Sequence, residues 1–373
     1  MLFVSFIPII LKTQNIAAPQ FTAADSGVTV RLSFTGDLMC HSPQYQSAHI
    51  AADSFDFTPC FSELQSIFSE SDFLAGNLET VTAGNNRSYS GYPFFNSPDD
   101  YVESLKKAGF NFLFTSNNHS YDQTEQGVLR TLEVLKTNGL PSTGTFSSRR
   151  DRDSIRVVSI KGIRFALLAF SYGLNGNRLP AGKKYLVNVI DTLAMGQDIL
   201  QAKSLHPNCI ITYLHFGNEY ARMPNKFQKG IAQFLKRSGI DLIIASHPHV
   251  LQPIEFYKTV DGQLDSGIAA YSLGNFISNQ QWRYSDAGAI LSIDIKQNAV
   301  SKKLSIVQIA ATPTWVFKGV ISGRPTFRVI PFSITRALNS YDFLSMNDKK
   351  NCLQAFDDTR DILTRMSNNI KIK

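Results

Sequence analysis

The sequence predicts a layered α/β fold, because apolar runs of strand length alternate with amphipathic stretches of helical period from residue 28 onward. The first run, residues 28–35, places apolar side chains at every second position, which is the period of a strand with one buried face. The chain has 373 residues and an apolar content of 43%. It is therefore long enough for one large domain with an extension, or for two modest domains.

The strands are predicted from short apolar runs that end at polar or glycine-containing loops. Residues 155–170 predict a β-hairpin that turns at Lys161 and Gly162. Residues 289–296 and 303–316 predict two later strands. The remaining strand candidates are 28–35, 72–76, 110–115, 209–215, 241–246 and 268–273.

The helices are predicted from apolar periodicity and from residues typical of helix ends. In the stretch 97–109, Ser97 is expected to cap the helix and Pro98 to occupy its first position, and Gly109 ends it. A further helix is expected near 347–366 in the polar tail. Two other helices, which end before Gly139 and Gly239, carry apolar faces formed by Val128, Leu129, Leu132 and Leu135, and by Phe227, Ile231, Phe234 and Leu235.

The N-terminal 27 residues resemble a targeting segment. An apolar run of signal-peptide length precedes the small residues Ala17 and Ala18, although the first lysine is only at Lys12 and no positive n-region precedes the run. We interpret residues 1–27 as an export signal, with a membrane anchor or a disordered terminus as the alternatives. The expected location is the cell envelope, either periplasmic or anchored on the outer side of the cytoplasmic membrane. Residues 28–320 are expected to form the main domain, and 321–373 a C-terminal extension that packs on it.

The charge and the cysteines restrict the classes of partner. The net charge of +7 is spread over short clusters, which is more typical of solvated surface charge and gives only weak support to anionic partners such as phosphate, carboxylate polymers or a membrane surface. No basic stripe of the kind that binds nucleic acid is present, so we expect no nucleic-acid partner. The cysteines form no C-x-x-C pair, which argues against a zinc knuckle or a redox motif, and their even number permits two disulfides without requiring them. They are Cys40, Cys60, Cys209 and Cys352.

Polar side chains follow almost every predicted strand. Ligand sites in open α/β sheets lie at the carboxyl ends of the strands, so we expect these loops to converge. Imidazole, carboxylate and amide groups together suit zinc, manganese or iron rather than calcium. Each residue alone has an ordinary structural explanation, such as a turn or a core histidine, and only the ordered set predicts a site. The set is Asp37, His41, Asn77, Glu79, Asn117, Asn118, His119, Asp122, His215, Glu219, His247, His249 and Asn275.

The order of these motifs resembles the CapA family of poly-γ-glutamate capsule biosynthesis proteins, which are similar to calcineurin-like metallophosphoesterases. The resemblance covers roughly residues 28 to 280, and TPTWV at 312–316 is similar to a late family block. It implies a four-layer αββα sandwich with two mixed sheets packed face to face. The motifs are Gly36-Asp37, GNLE at 76–79, NNHSYD at 117–122, HFGNEY at 215–220, SHPHVLQP at 246–253 and YSLGNF at 271–276.

The resemblance also implies two divalent metal ions, manganese, zinc or iron, and a set of ligands for them. Met39 occupies the position of the usual histidine two residues after the first aspartate, so His41 is the expected substitute. Glu79 matches a bridging aspartate and is one methylene longer. The implied ligands are Asp37, His41, Glu79, Asn118, His215, His247 and His249.

The resemblance assigns His119 as the proton donor to the leaving group, with Asp122 orienting its imidazole. Arg222 is expected to hold an anionic group of the substrate, although a surface arginine lying over apolar neighbours is an equal alternative. The residues expected to line the substrate pocket are Asn77, Tyr220, Arg222 and Asn275.

Three functional hypotheses follow from these residues. The first is a metal-dependent hydrolase or transferase that acts on a phosphoester or a glutamyl amide. The second is a non-catalytic accessory protein that binds an anionic polymer. Its possible partner is membrane-associated capsule machinery. The third is a structural α/β protein without metal. A shared fold does not decide between them.

Overall fold

A computed structural model of the chain describes residues 27–332, 338–367 and 369–373. The predicted targeting segment lies outside these residues except for Gly27. The α-helices are α1 (Ser42–Ala48), α2 (Gln65–Phe68), α3 (Asp99–Ala108), α4 (Thr124–Thr137), α5 (Arg149–Arg152), α6 (Thr192–Ser204), α7 (Lys226–Arg237) and α8 (Met346–Leu363). The strands are β1 (Gly27–Leu38), β2 (His49–Ala51), β3 (Ser54–Phe55), β4 (Phe73–Leu78), β5 (Phe112–Phe114), β6 (Ser142–Thr143), β7 (Arg156–Ile160), β8 (Ile163–Ser171), β9 (Cys209–His215), β10 (Leu242–Ser246), β11 (Leu251–Lys258), β12 (Ser266–Leu273), β13 (Asn275–Ile277), β14 (Ala287–Asn298), β15 (Leu304–Ile321), β16 (Arg324–Pro331) and β17 (Lys371–Ile372).

Two mixed sheets form the centre of the protein. The first has the order β16-β15-β14-β1-β4-β5-β6, with β13 beside β1 and β17 beside β15. In it β1, β4, β5 and β6 run parallel, and β14 to β16 run antiparallel. The second sheet has the order β11-β12-β10-β9-β8-β7, with four parallel strands between two antiparallel edge strands.

The inner faces of the two sheets pack against each other. Their buried side chains form one apolar cluster to which β1, β4 and β5 contribute from one side and β8, β9 and β10 from the other. Tyr213 in β9 links the sheets, since its ring stacks on Phe114 with centroids 4.4 Å apart and its hydroxyl donates to the Thr35 carbonyl at 3.1 Å. The alternating apolar side chains of β1, Val30, Leu32 and Phe34, therefore lie in the contact between the sheets.

Helices cover the two outer faces. Tyr101, Val102 and Leu105 of α3 pack with side chains from the outer face of the first sheet. On the second sheet, α6 and α7 supply a separate apolar cluster that includes Met195 and Leu235. The layers are therefore helix, sheet, sheet and helix, which confirms the predicted four-layer αββα sandwich.

The predicted strands and the hairpin are present within five residues of their expected bounds, and Ile160 pairs with Ile163 across the Lys161-Gly162 turn. The N-cap of α3 is Pro98 rather than Ser97, so the helix begins one residue later than predicted. The predicted apolar faces of two helices each include one residue that the structure exposes. Leu129 of α4 is 38% exposed and Phe227 of α7 is 47% exposed, so these two assignments are wrong. Their neighbours on α4 and α7 supply enough burial without them.

The C-terminal residues continue the first sheet and then cover it. β16 pairs with β15 along its whole length, and β17 adds two residues beside the same strand. Cys352 and Ala355 of α8 pack in a cluster with Trp315 and Phe317, and Asp358 accepts two hydrogen bonds from Arg283. The predicted boundary between the main domain and the C-terminal extension, at residue 320, falls inside β15, and this division stays a prediction.

The four cysteines are buried and carry free thiols. Burial raises the pKa of the Cys40 thiol to about 12, so this thiol is not an activated nucleophile. Across residues 27–332, 338–367 and 369–373, every helix falls short of the length and apolarity needed to cross a membrane.

Candidate metal centre

The carboxyl ends of parallel strands from both sheets meet at one edge of the sandwich. Asp37 lies near the end of β1, Asn77 lies in β4, and His215 ends β9, and all three are fully buried. The loops after β4, β5, β10 and β12 add further polar side chains to the same place. The structure thus brings together most of the residues that the strand-end rule selected.

Asp37 is held by two neighbouring motifs. Asn77 Nδ2 donates to Asp37 Oδ1 at 2.8 Å, and the backbone N–H of His247 donates to Oδ2 at 3.2 Å. Gly36 is needed just before it, because a Cβ there would lie 1.9 Å from the Gly274 carbonyl oxygen. The close approach lets Asp37 N donate to Gly274 O at 3.0 Å, which fixes the carboxylate beside the loop after β12.

Glu79 is the residue that most clearly requires a ligand. Its side chain is fully buried, and neither carboxylate oxygen has a hydrogen-bond partner among the described residues. The nearest imidazole nitrogens, His215 Nε2 at 3.5 Å and His249 Nε2 at 4.0 Å from Oε1, lie at or beyond hydrogen-bonding range. An unpaired buried carboxylate is costly, so its presence fits a group that binds a cation.

Three sets of donor atoms lie close enough to share an ion, with all atoms of a set within 4.8 Å of one another. Glu79 belongs to two of these sets, one with His215 and His247 and the other with Asp37 and His249. A carboxylate shared in this way suits a bridge between two cations. Nitrogen and oxygen donors without thiolates suit zinc, manganese or iron, so the residues present fit the implied metals. The third set is Glu219, His247 and His249.

The loop that carries two of these imidazoles has a strained backbone. His247 has φ 104° and His249 has φ 58°, backbone angles that residues other than glycine rarely adopt. Each costs about 1–3 kcal/mol and persists only where neighbours hold it. Asp37 holds His247 through its backbone, and His249 Nδ1 lies 3.0 Å from Asn275 Oδ1.

Burial sets the protonation of the ligands. It lowers the pKa of His215 well below its usual value and that of His247 to about 3, and neighbouring imidazoles lower both further. Burial, together with the charge of Asp37, raises the pKa of Glu79 well above its usual value. Burial also opposes ionisation of Asp37, but His249 and His215 outweigh it and hold its pKa well below the usual range. The imidazoles of His215 and His247 are therefore neutral near pH 7, and their nitrogens are available to a cation.

Asn118 completes the deep part of the site. Its Oδ1 lies 2.7 Å from His215 Nε2, and its Nδ2 donates to Asn175 Oδ1 at 3.1 Å. This bond to Asn175 directs the amide oxygen towards His215 and the donors around Glu79. Metal binding by Asn118 stays a prediction, and its orientation supports it.

His119 and Asp122 form a buried pair beside the donors. His119 Nδ1 lies 2.7 Å from Asp122 Oδ2, and the same oxygen accepts the backbone N–H of Phe95 at 2.8 Å. The His119 ring packs edge to face on Phe95 with centroids 4.7 Å apart. Because Asp122 engages Nδ1, the imidazole is held in the tautomer that leaves Nε2 for another partner.

His41 is placed differently from the other expected ligands. It caps the start of α1, with its Nδ1 3.1 Å from Gln44 Oε1 and 3.3 Å from the backbone nitrogen of Asn279. Within the described residues it belongs to none of the three donor sets. Its assignment as a metal ligand stays a prediction that the geometry does not favour.

Two of the expected substrate contacts lie beneath the ligands. Asn77 and Asn275 are fully buried, and they hydrogen bond to Asp37 and to His249. These amides orient the two ligand side chains from behind, in the way that the outer partners of metal ligands usually do. Their contact with a substrate stays a prediction.

The other two expected substrate contacts, Tyr220 and Arg222, are exposed. Tyr220 is 44% exposed, and its ring centroid is 6.1 Å from that of His249. The Arg222 guanidinium lies 4.2 Å above the ring of Tyr284, and it has no carboxylate partner in the part of the chain that the structure describes. An exposed arginine without a counter-ion is free to bind an anion, which stays a prediction.

Two contributors had no role assigned to them from the sequence. Tyr172, directly after β8, packs on His247 with ring centroids 4.4 Å apart. The strand-end rule selects this position, since β8 runs parallel to β9, but a tyrosine has no metal-ligand signature. Glu219 was recognised only as a polar residue four positions after His215, and the structure places its carboxylate within reach of two imidazoles.

Two mixed sheets packed face to face between helices, with an imidazole and carboxylate cluster at their carboxyl ends, define an αββα sandwich with a candidate metal centre. The sequence family described as "Bacterial capsule synthesis protein PGA_cap" matches residues 31–280. This chain belongs to that family.

Two curated relatives support this membership. The "PGA biosynthesis protein CapA" of Bacillus subtilis (strain 168) is 30% identical over 304 residues, which are 79% of this chain and 76% of the relative. The "Capsule biosynthesis protein CapA" of Bacillus anthracis is 26% identical over 253 residues, 65% of this chain and 59% of the relative.

The NAD nucleotidase structure of Haemophilus influenzae is 13% identical with a TM-score of 0.47, and the match covers 93% of this chain and 64% of that one. No functional argument follows from a structural likeness at this level.

The depressed pKa of His247 predicts a pH effect on the metal-free protein. A histidine whose pKa falls from 6.5 unfolded to about 3 folded binds fewer protons in the folded state, so stability is lost as the pH drops below 6.5. His247→Gln should therefore reduce the stability difference between pH 7 and pH 5 by about 2 kcal/mol. Urea denaturation of both proteins in chelator at the two pH values measures this. An equal pH dependence in wild type and variant would contradict the buried, neutral imidazole.

Proposed function

We propose that this protein is a metal-dependent hydrolase of capsule-type polymer biosynthesis that acts on a phosphoester or on a glutamyl amide. The observation that carries the proposal is the buried carboxylate of Glu79, which lacks partners among the described residues and is shared by two donor sets. A structural α/β protein without metal does not explain such a group. The relatives named for PGA and capsule biosynthesis support the choice of polymer.

The proposed ligands supply two negative charges and several neutral donors. Asp37 and Glu79 carry the charges, Asn118 and the imidazoles of His215 and His247 are neutral, and His249 supplies a further ring nitrogen. When bound, two divalent cations supply Lewis-acid charge that acidifies a water and stabilises negative charge on the reacting group. Asn77 and Asn275 keep Asp37 and His249 in the orientation this requires.

His119 is the proposed proton donor. The carboxylate of Asp122 holds Nδ1–H, so Nε2 is the atom that carries a proton to the departing oxygen or nitrogen. Arg222 is the proposed contact for an anionic group of the substrate, because it is exposed, lies over the ring of Tyr284 and has no carboxylate partner in the described residues.

The proposed partners are an anionic polymer or a phosphorylated substrate and, through the polymer, membrane-associated capsule machinery. The proposed location is the cell envelope, which the names of the capsule-biosynthesis relatives support. A second candidate, a non-catalytic polymer-binding protein, is favoured by the exposed Arg222 and by the exposed aromatic rings of Tyr220 and Trp282, which pack on each other.

A turnover assay separates the two candidates. The full chain is stripped of metal with chelator, reloaded with Mn²⁺ or Zn²⁺, and assayed with bis-p-nitrophenyl phosphate and with a γ-glutamyl anilide. The proposal predicts hydrolysis of one substrate class that is lost in chelator and restored by metal. Absence of turnover with every metal, together with retained binding of poly-γ-glutamate, would favour the accessory protein instead.

A further inference from the structure

We propose that Glu219 is an additional metal ligand, one that closes the coordination shell on the solvent side of His247 and His249. This inference rests on the proposed metal centre and extends it. The carboxylate of Glu219 lies with the ligand nitrogens of both histidines in a set whose atoms are within 4.8 Å of one another. Glu219 is the exposed member of that set, and the two histidines are buried.

The backbone brings Glu219 to this position. The N–H of Tyr220, the next residue, donates to the carbonyl of Pro248 at 2.7 Å, and Pro248 lies between the two histidines. The loop is also joined to the end of β10, because the N–H of Phe216 donates to the carbonyl of Ser246 at 3.1 Å. Glu219 is therefore tied to the segment that presents the two imidazoles.

The loop is held in a strained shape that a free surface turn would not need. Tyr220 has φ 62°, and Gly217 has φ 122° with the buried side chain of Gln228 2.8 Å from where a Cβ would stand. Gln228 donates to the Phe216 carbonyl at 3.3 Å and to Gln252 at 2.8 Å, and Gln252 donates to the Ala221 carbonyl at 2.7 Å. Strain that the surroundings maintain in this way is typical of functional loops.

Charge supplies the next argument. In the described part of the chain the Glu219 carboxylate has neither a hydrogen bond nor an ion pair, although it lies within 4.8 Å of the ligand nitrogens of His247 and His249. In the absence of a cation it only adds repulsion to a site that already contains Asp37 and Glu79. Two divalent ions would leave a positive excess over those two carboxylates, and Glu219 reduces that excess.

The donor set that contains Asp37 has few protein ligands for a metal ion, and this also favours a role for Glu219. Met39, two residues beyond Asp37, is 1% exposed and offers only a thioether, a soft ligand that manganese and zinc do not favour. The set on this side contains only Asp37, Glu79 and His249, and four or more donors are usual for these ions. The carboxylate of Glu219, which lies with His247 and His249 in the third set, would add a protein donor beside His249.

The test is metal affinity together with metal-dependent stability in Glu219→Gln. Isothermal titration of the metal-free full chain with Mn²⁺ should show an affinity that is about ten-fold weaker or more, as for loss of groups that tune a metal site. The thermal midpoint of the metal-free variant should equal or exceed that of wild type, because a repelling charge has been removed. The increase in midpoint on adding Mn²⁺ should be smaller than in wild type.

Glu133→Gln is the matched control, since it removes the same charge from an exposed glutamate on α4 and should leave both quantities unchanged. If Glu219→Gln binds Mn²⁺ as wild type does, the proposed ligand is wrong while the metal centre stands. If the variant is destabilised equally with and without metal, Glu219 has a structural role instead. If wild type binds no Mn²⁺ or Zn²⁺, the proposed function fails and this inference fails with it.

Discussion

Replacing Glu79 with glutamine is expected to stabilise the metal-free protein and to abolish tight metal binding. The wild-type carboxylate is fully buried without a hydrogen-bond partner among the described residues, and its pKa is raised by burial and by Asp37. Removing the ionisable group should raise the free energy of unfolding in chelator by about 1–3 kcal/mol. The amide cannot bridge two cations, so the stabilisation that metal gives to wild type should disappear. Chemical denaturation with and without Mn²⁺ measures both effects.

Asp241→Asn is the matched control for Glu79→Gln, because it should change the free energy of unfolding in the opposite direction. Asp241 is also fully buried, but its oxygens accept the backbone N–H groups of Ile210 at 3.0 Å, Gln263 at 2.8 Å and Leu264 at 2.9 Å. The same change of acid to amide should therefore destabilise the protein and leave metal binding intact. A Glu79→Gln variant that behaves like Asp241→Asn would mean that Glu79 has a structural role.

His119→Gln is expected to lower kcat by about 10²–10⁴-fold while the metal content stays at the wild-type value. His119 is outside the donor sets of the described residues, and Asp122 holds its imidazole for proton donation. The loss should be larger for an alkyl phosphoester than for a p-nitrophenyl ester, because p-nitrophenolate leaves without a proton. Steady-state kinetics on both esters, with metal analysis of the same samples, measures this difference.

His206→Ala is the control for the loss of an imidazole. His206 is exposed and precedes β9, whereas His215 ends that strand, so the two lie roughly 20 Å apart along the sheet. This variant should retain full activity and metal content. An equal loss for both esters in His119→Gln, or no loss at all, would contradict the proton-donor role.

The strands could be predicted from the sequence because their period and their ends are local properties. β9 begins and ends where the apolar run 209–215 does, and the hairpin of β7 and β8 turns where glycine allows it. Pairing between distant segments has no local signal. β1 pairs with β14, some 260 residues away, and only the family resemblance predicted two stacked sheets.

The site was predictable to the extent that it depends on strand ends. Asp37, Glu79, His215, His247 and His249 follow that rule, and the structure brings them together. The expectation for His41 depended instead on the path of the loop after β1. That loop enters the short helix α1, which the periodicity did not reveal, and the helix uses His41 as its cap.

Glu219 shows the opposite case. Its position depends on one backbone hydrogen bond between Tyr220 and Pro248, which joins loops 28 residues apart and leaves no trace in either motif. Exposure of a helix face is equally non-local. Phe227 fits the apolar period of α7, but it lies outside the area that the second sheet covers.

The most direct test of the metal centre is a crystal structure of the full chain loaded with Mn²⁺, with anomalous diffraction to locate the ions. We predict two anomalous peaks at the carboxyl ends of the two sheets, both in contact with Glu79. One should be bound by His215 and His247, and the other by Asp37 and His249. A map without density at Glu79, with its carboxylate still unpaired after loading, would contradict the account.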